Sequence, residues 1–103
     1  MARRDRREVE SRLAGLIAHL LKWEHQPGKC SGGWRATLET QRQELVRLLR
    51  SRTLRNHALN VLPEVYQDGV RQAAAETEVP LSRFPAECPF TVEQLESEDL
   101  LER

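Results

Sequence analysis

The side chains best able to do chemistry cluster near the end of the first apolar repeat. His19 and Trp23 are four residues apart, Lys22 lies beside Trp23, and His25 follows two positions later. Four-residue spacing puts His19 and Trp23 on one face of a helix. An imidazole there could act as a general acid or base, or ligate a metal. Metal binding fails on ligand count, because no Cys, His, Asp or Glu lies three or four positions from His19. The simpler expectation is a half-buried histidine hydrogen-bonded to a neighbouring helix. A hydrolytic or nuclease-like role for His19 with Arg42 has the least support of the functional readings.

A second set of residues could hold an anion. Ser31-Gly32-Gly33 precedes a helical stretch, with Lys29 and Arg35 nearby, and the first amides of a helix attract negative charge. The lysine precedes the glycine pair, however, and no Gly-x-x-x-x-Gly-Lys-Ser/Thr pattern exists, which excludes a nucleotide-binding P-loop. A plain turn capped by Ser31 explains the same residues. The arginines at 3, 4, 6, 7 and 12, with Arg42, Arg47, Arg50, Arg52 and Arg55 further on, could form a nucleic-acid surface. Glu8, Glu10, Glu39 and Glu44 interrupt them and no aromatic residue is interleaved for stacking, so a solvated or partner-facing surface is the simpler reading. Cys88 lacks a nearby basic residue to activate its thiol and is expected to pack. No Ser-His-Asp trio and no paired carboxylates stand out, so no catalytic residue, metal site or cofactor is expected.

These residues must be positioned by helices. Val9, Leu13, Leu16, Ile17 and Leu20 recur at three-and-four spacing, with Leu21 and Trp23 widening the stripe, which predicts a helix from Arg3 to about Glu24, ended by Pro27 and Gly28. A second helix is predicted from Ser31 or Gly33 to about Ser51, with Trp34, Leu38, Leu45, Leu48 and Leu49 on one side and Glu39, Arg42, Arg47 and Arg50 among its polar positions. Ser51 or Thr53 can cap a third, from Leu54 to about Glu78, kinked or split where Pro63 removes an amide donor and presses on the carbonyl of Leu59. Pro80, Pro85 and Pro89 predict an extended segment lying over the bundle. Thr91 and Gln94 fit a capping box, flanked by Phe90 and Leu95 at the staple positions, so a short helix should begin at Val92 and fray in the acidic tail through Asp99. The fold class is all-α, a small bundle of three main helices plus a short C-terminal one, forming one domain over 1–103. Trp23, Trp34, Leu38 and Tyr66 are the large residues expected at its core or at an interface.

Composition sets further limits. The chain has 103 residues, 39% apolar and 31% charged, with five aromatics, enough for one small domain with a thin core. No apolar run approaches the roughly 20 residues of a membrane helix. The start, Met1-Ala-Arg-Arg-Asp-Arg-Arg, leads into an amphipathic stretch rather than a secretory signal, so a cytoplasmic location is expected, with Cys30 and Cys88 as free thiols. The net charge is zero. It conceals a split: residues 1–55 carry 13 basic against 6 acidic side chains, and residues 56–103 carry 3 against 10. Uniformly basic nucleic-acid binders do not look like this, so the halves should pack against each other or pair between subunits. Fourteen of the 16 basic residues are arginine, which suits bidentate pairing with carboxylates.

The stretch His19-Leu20-Leu21-Lys22-Trp23-Glu24-His25-Gln26-Pro27 resembles the bacterial domain of unknown function twenty-nine. Trp34, Gln41-Arg42, Tyr66 and the closing run from Phe84 to Leu95 fall in that family's order and approximate spacing. The resemblance spans nearly the whole chain and implies an all-helical fold with no settled function. It also implies two departures: an N-terminal helical stretch of typical members is absent here, and Pro63 interrupts a helix that the family runs unbroken. A missing cover would leave an apolar face for a second subunit or another protein. The leading expectation is therefore a self-associating interaction module, a homo-oligomer or a binder of helical proteins, with no chemistry of its own and no membrane contact. The alternative is anion or nucleic-acid binding through Lys22, Lys29, Arg35 and Arg42, with His19, Trp23 and Trp34 as further candidate ligand contacts.

Overall fold

A computed structural model describes residues 3–29, 32–98 and 100, with Arg3 and Lys29 described by their backbones only. Three long helices form the body: α1 (Arg3–His25), α2 (Gly32–Leu48) and α3 (Arg52–Thr77). Short 3-10 turns at Pro27–Lys29 and Leu81–Arg83 and a five-residue helix, α4 (Val92–Glu96), complete it. No strand occurs among the described residues. The all-α bundle expected from the apolar spacing is the observed fold.

α1 is the central element. Val9, Leu13, Leu16, Ile17, Leu20 and Leu21 are all buried, and so is Ala18 outside that stripe. A helix buried on more than one side is covered by several partners, and α1 has α3 on one flank and α2 on the other. Contacts fix the directions. Glu10 meets His57, Ile17 meets Gly69, and Lys22 meets Glu76, so α1 and α3 run parallel. Arg12 bonds Gln41 and Trp23 stacks on Trp34, so α2 runs against them. At about 1.5 Å per residue a 26-residue helix spans about 39 Å. The longest dimension of the molecule is 39 Å, and α3 therefore runs from end to end.

α3 starts at Ser51, whose hydroxyl accepts the Leu54 amide at 3.3 Å. The helix continues through Pro63 without a break, so the splitting considered from the sequence does not occur. The carbonyl of Leu59 loses its amide partner to the proline ring, but Pro63 is exposed and Leu59 is 49% exposed, which leaves that side open to water. The opposite side, with Ala58, Val65, Gly69 and Ala73, is held against the core. Glu78 closes the helix in a left-handed conformation at φ 60°, its amide bonding the Ala74 carbonyl at 2.8 Å, and Pro80 prevents continuation.

The proline-rich segment, expected to be extended throughout, opens with the 3-10 turn at Leu81–Arg83 and from Phe84 on crosses the bundle as a non-helical strap. Tyr66 donates its hydroxyl to the Pro85 carbonyl at 2.6 Å, and Gln67 donates to that of Ala86 at 3.1 Å. Phe84 and Phe90 are buried at its two ends. α4 then opens with the expected capping box: Thr91 accepts from the Gln94 amide and Gln94 accepts from the Thr91 amide. Phe90 and Leu95 are both buried beside it. The expected cap at Ser31 and the residues Cys30 and Asp99 lie outside the described residues.

Two glycines separate close packing from plain helix propensity. A Cβ on Gly69 would stand 2.8 Å from the Ile17 Cγ2 and 3.2 Å from the Ala14 carbonyl, whereas one on Gly15 meets nothing within 4 Å. Gly69→Ala is expected to destabilise by about 1–3 kcal/mol through overpacking. Gly15→Ala should instead stabilise by about 0.5–1 kcal/mol. Urea unfolding followed by circular dichroism measures both, and equal effects would disprove the close contact.

Candidate functional site

The residues singled out from the sequence lie in two places. One is an aromatic cluster between the last turns of α1 and the start of α2. Trp23 and Trp34 stack with ring centroids 6.3 Å apart and planes 19° from parallel. His19 lies 6.3 Å from Trp34, its ring tilted by 31°. All three are half-buried, so the two tryptophans seal the seam between α1 and α2 rather than filling the core, while Leu38 and Tyr66 are buried as expected.

The histidine's partner differs from the expected one. Its Nδ1 lies 2.7 Å from the Gly15 carbonyl of its own helix, not a group on a neighbouring helix. The reason is local: an imidazole on a helix can reach the carbonyl four residues back, as both His19 and His25 do. Lys22 bonds Glu76 of α3 at 2.7 Å, and this bond holds the Glu76 carboxyl below its ordinary pKa. His25 is likewise turned onto its own helix, with Nδ1 3.0 Å from the Leu21 carbonyl, while its ring rests 4.5 Å from that of Phe84.

The second place is the face of α2 toward α4. Arg42, expected among the polar positions, is buried at 9% exposure. Each of its guanidinium nitrogens is engaged: Nε and Nη2 donate to the two carboxylate oxygens of Glu39 at 2.9 and 2.7 Å, and Nη1 donates to the Glu96 carbonyl at 2.8 Å. The planar fork of arginine suits this three-way arrangement, which ties α2 to the end of α4. Hydrogen bonds from Arg42 and then Gln43 hold the Glu39 carboxyl far below its ordinary value, at about 2. A groove of about 300 Å³ opens here, lined by Arg35, Ala36, Leu38, Glu39, Arg42 and Leu100 among others. His19 lines neither of the grooves that Arg42 lines, so the two residues share no cleft. Lys29 has no described side chain.

The structure brings together other groups that sequence reasoning passed over. Arg55 on α3 bonds Glu96 at 2.8 Å and Glu93 at 3.2 Å, a clamp on α4 from a second side. With Lys22 and Glu76, these contacts join the basic front of the chain to its acidic back, as the charge split implied. Burial pushes the Tyr66 phenol up to about 12, and burial also raises the Cys88 thiol. Cys88 donates weakly to the Phe90 carbonyl at 3.3 Å, which fits a packing role. A further pocket went unforeseen: about 460 Å³ between α3 and the strap, with Leu59, Leu62, Pro63, Glu87, Cys88 and Phe90 on its walls. Leu59 and Pro63 are four apart and had been weighed only for helix continuity.

The architecture defines an all-helical bundle whose marked polar side chains hold helices together. The chain matches the model of a family described as Domain of unknown function DUF29 over residues 1–101 and belongs to that family. No curated protein and no solved structure is similar enough to add to this.

Two outcomes test the Arg42 tie. Arg42→Ala is expected to cost about 1.5–3 kcal/mol, the range for hydrogen bonds to charged groups, and Arg42→Lys to restore only part of it; thermal unfolding would show this. The low pKa of Glu39 sets an acid limb: its contribution to stability is full above the ordinary value near 4.5 and is lost as pH falls toward 2. Because this carboxylate is largely solvated, the contribution should be about 1 kcal/mol or less. Stability measured from pH 5 to pH 2 should fall less steeply in Glu39→Gln than in the parent.

Proposed function

We propose that the chain is a small helical interaction module, one domain, that self-associates and has no chemistry of its own. The observation that carries this reading is a matched pair of surfaces. The groove between α3 and the strap is walled by Leu59, Leu62, Pro63 and Phe90, with Glu87 also lining it. Among the described residues the other exposed large apolar side chain is Leu81, at 56% exposure, with Arg83 exposed two positions later. Glu87 and Arg83 make no ion pair among the described residues. An apolar knob flanked by a cation therefore matches an apolar groove lined by one carboxylate, and a two-fold contact would use both surfaces twice.

His19, Lys22 and Arg42 support the same reading, since each is engaged in a contact within the fold. No helix among the described residues is long and apolar enough to cross a membrane. A bacterial cytoplasm is the compartment in keeping with Cys88 as a free thiol and with the bacterial family resemblance.

Sedimentation equilibrium tests the proposal. The parent chain is expected to gain mass with concentration at tens of micromolar. Leu59→Lys and Leu81→Lys, both at exposed positions, should each remain monomeric with unchanged helicity. A parent that stays monomeric throughout that range would sink the reading.

A further inference from the structure

The parallel course of α1 and α3, with α2 reversed, brings two chain-distant segments to one end of the bundle: the start of α1 and the junction where α2 ends and α3 begins. Arg4, Arg6, Arg7, Arg50 and Arg52 are all exposed there. None has an ion-pair partner among the described residues. Most nearby carboxylates are engaged: Glu8 pairs with Arg12 and Glu44 with Arg47, and Glu10 lies 2.8 Å from the His57 ring. Among the described residues Asp5 and, lining a groove with Arg50, Glu98 are acidic groups without an ion-pair partner there. The positive excess on the chain's front half is thus concentrated in space.

At this end the surface has a shaped site. Arg4, Arg7, Ser11 and Arg12 line a groove of about 440 Å³ with Glu8 and with Gln41 of α2. Arg4, Arg7 and Ser11 follow one face of α1, about 5 Å per turn. Arg12 is oriented by Gln41 at 3.2 Å and by Glu8 at 3.4 Å, which fixes one wall. Arg4 and Arg7 have both forks open.

We infer that this groove binds the phosphate backbone of duplex nucleic acid. Its donors are guanidiniums and a hydroxyl, the groups that contact phosphate without reading sequence. Single strands are disfavoured because Trp23 and Trp34 lie toward the opposite end and no aromatic ring lines the groove for stacking. A lipid surface is disfavoured because the apolar side of α1 is buried in the core, so no greasy face is available to insert. The site lies apart from the groove proposed for self-association and uses none of its residues.

Fluorescence anisotropy with a short labelled duplex of arbitrary sequence tests the inference. Binding is expected at low salt and should weaken linearly in log–log form as salt rises. Arg4→Ala with Arg7→Ala removes two phosphate contacts and should lower the magnitude of that slope by about 2. Arg4→Lys with Arg7→Lys should retain most of it. Both positions are exposed, so circular dichroism should show unchanged helicity. The Leu59→Lys monomer should bind as the parent does, which separates this site from the interface. No binding at low salt, a slope unaltered in the double alanine variant, or a preference for vesicles rich in phosphatidylserine over the duplex would each overturn the inference.

Discussion

Everything in this fold depends on how near α1 and α3 can come. Gly69 leaves room for the Ile17 side chain and the Ala14 carbonyl, and Ala18, Ala58 and Ala73 keep the buried surfaces of both helices low. Close approach of two long parallel helices makes one rigid frame. Parallel neighbours cannot be joined by a short turn, so α2 must travel back between them in sequence. That return path places it on the far flank of α1, where Trp34 meets Trp23.

The polar side chains act after that frame is set. Arg42 and Arg55 fasten α4 from α2 and α3, Lys22 links α1 to α3, and Tyr66 holds the strap. The exposed members of this set add little to stability, about 0–1 kcal/mol each. They do specify which surfaces meet, as expected where one half of a chain is basic and the other acidic. Arginine dominates because its fork can hold a carboxylate and a carbonyl together, as Arg42 does.

The fold was largely legible in the sequence, since helix periodicity and capping are local. The stripe from Val9 to Leu20, the cap at Ser51, the proline-rich strap and the Thr91–Gln94 box all follow from spacing. Continuity through Pro63 was not decided there, because it depends on which side of α3 the packing holds. The site was legible only in part. Trp23, Trp34 and His19 do come together, since four-residue spacing puts His19 and Trp23 on one face. The burial of Arg42 was hidden because a charged residue at a polar helix position looks solvated until a partner 54 positions away covers it. The Glu39–Arg42 spacing of three was the available signal. Likewise the Leu59–Phe90 groove arises between segments that share no periodicity.

The smallest helix shows what such dependence means for assembly. Five residues cannot repay the cost of nucleating a helix on their own, and α4 has one capping box and two arginine clamps to hold it. Its catches sit on the two helices that flank α1, Arg42 on α2 and Arg55 on α3. α4 is in effect a latch between two elements that scarcely touch each other.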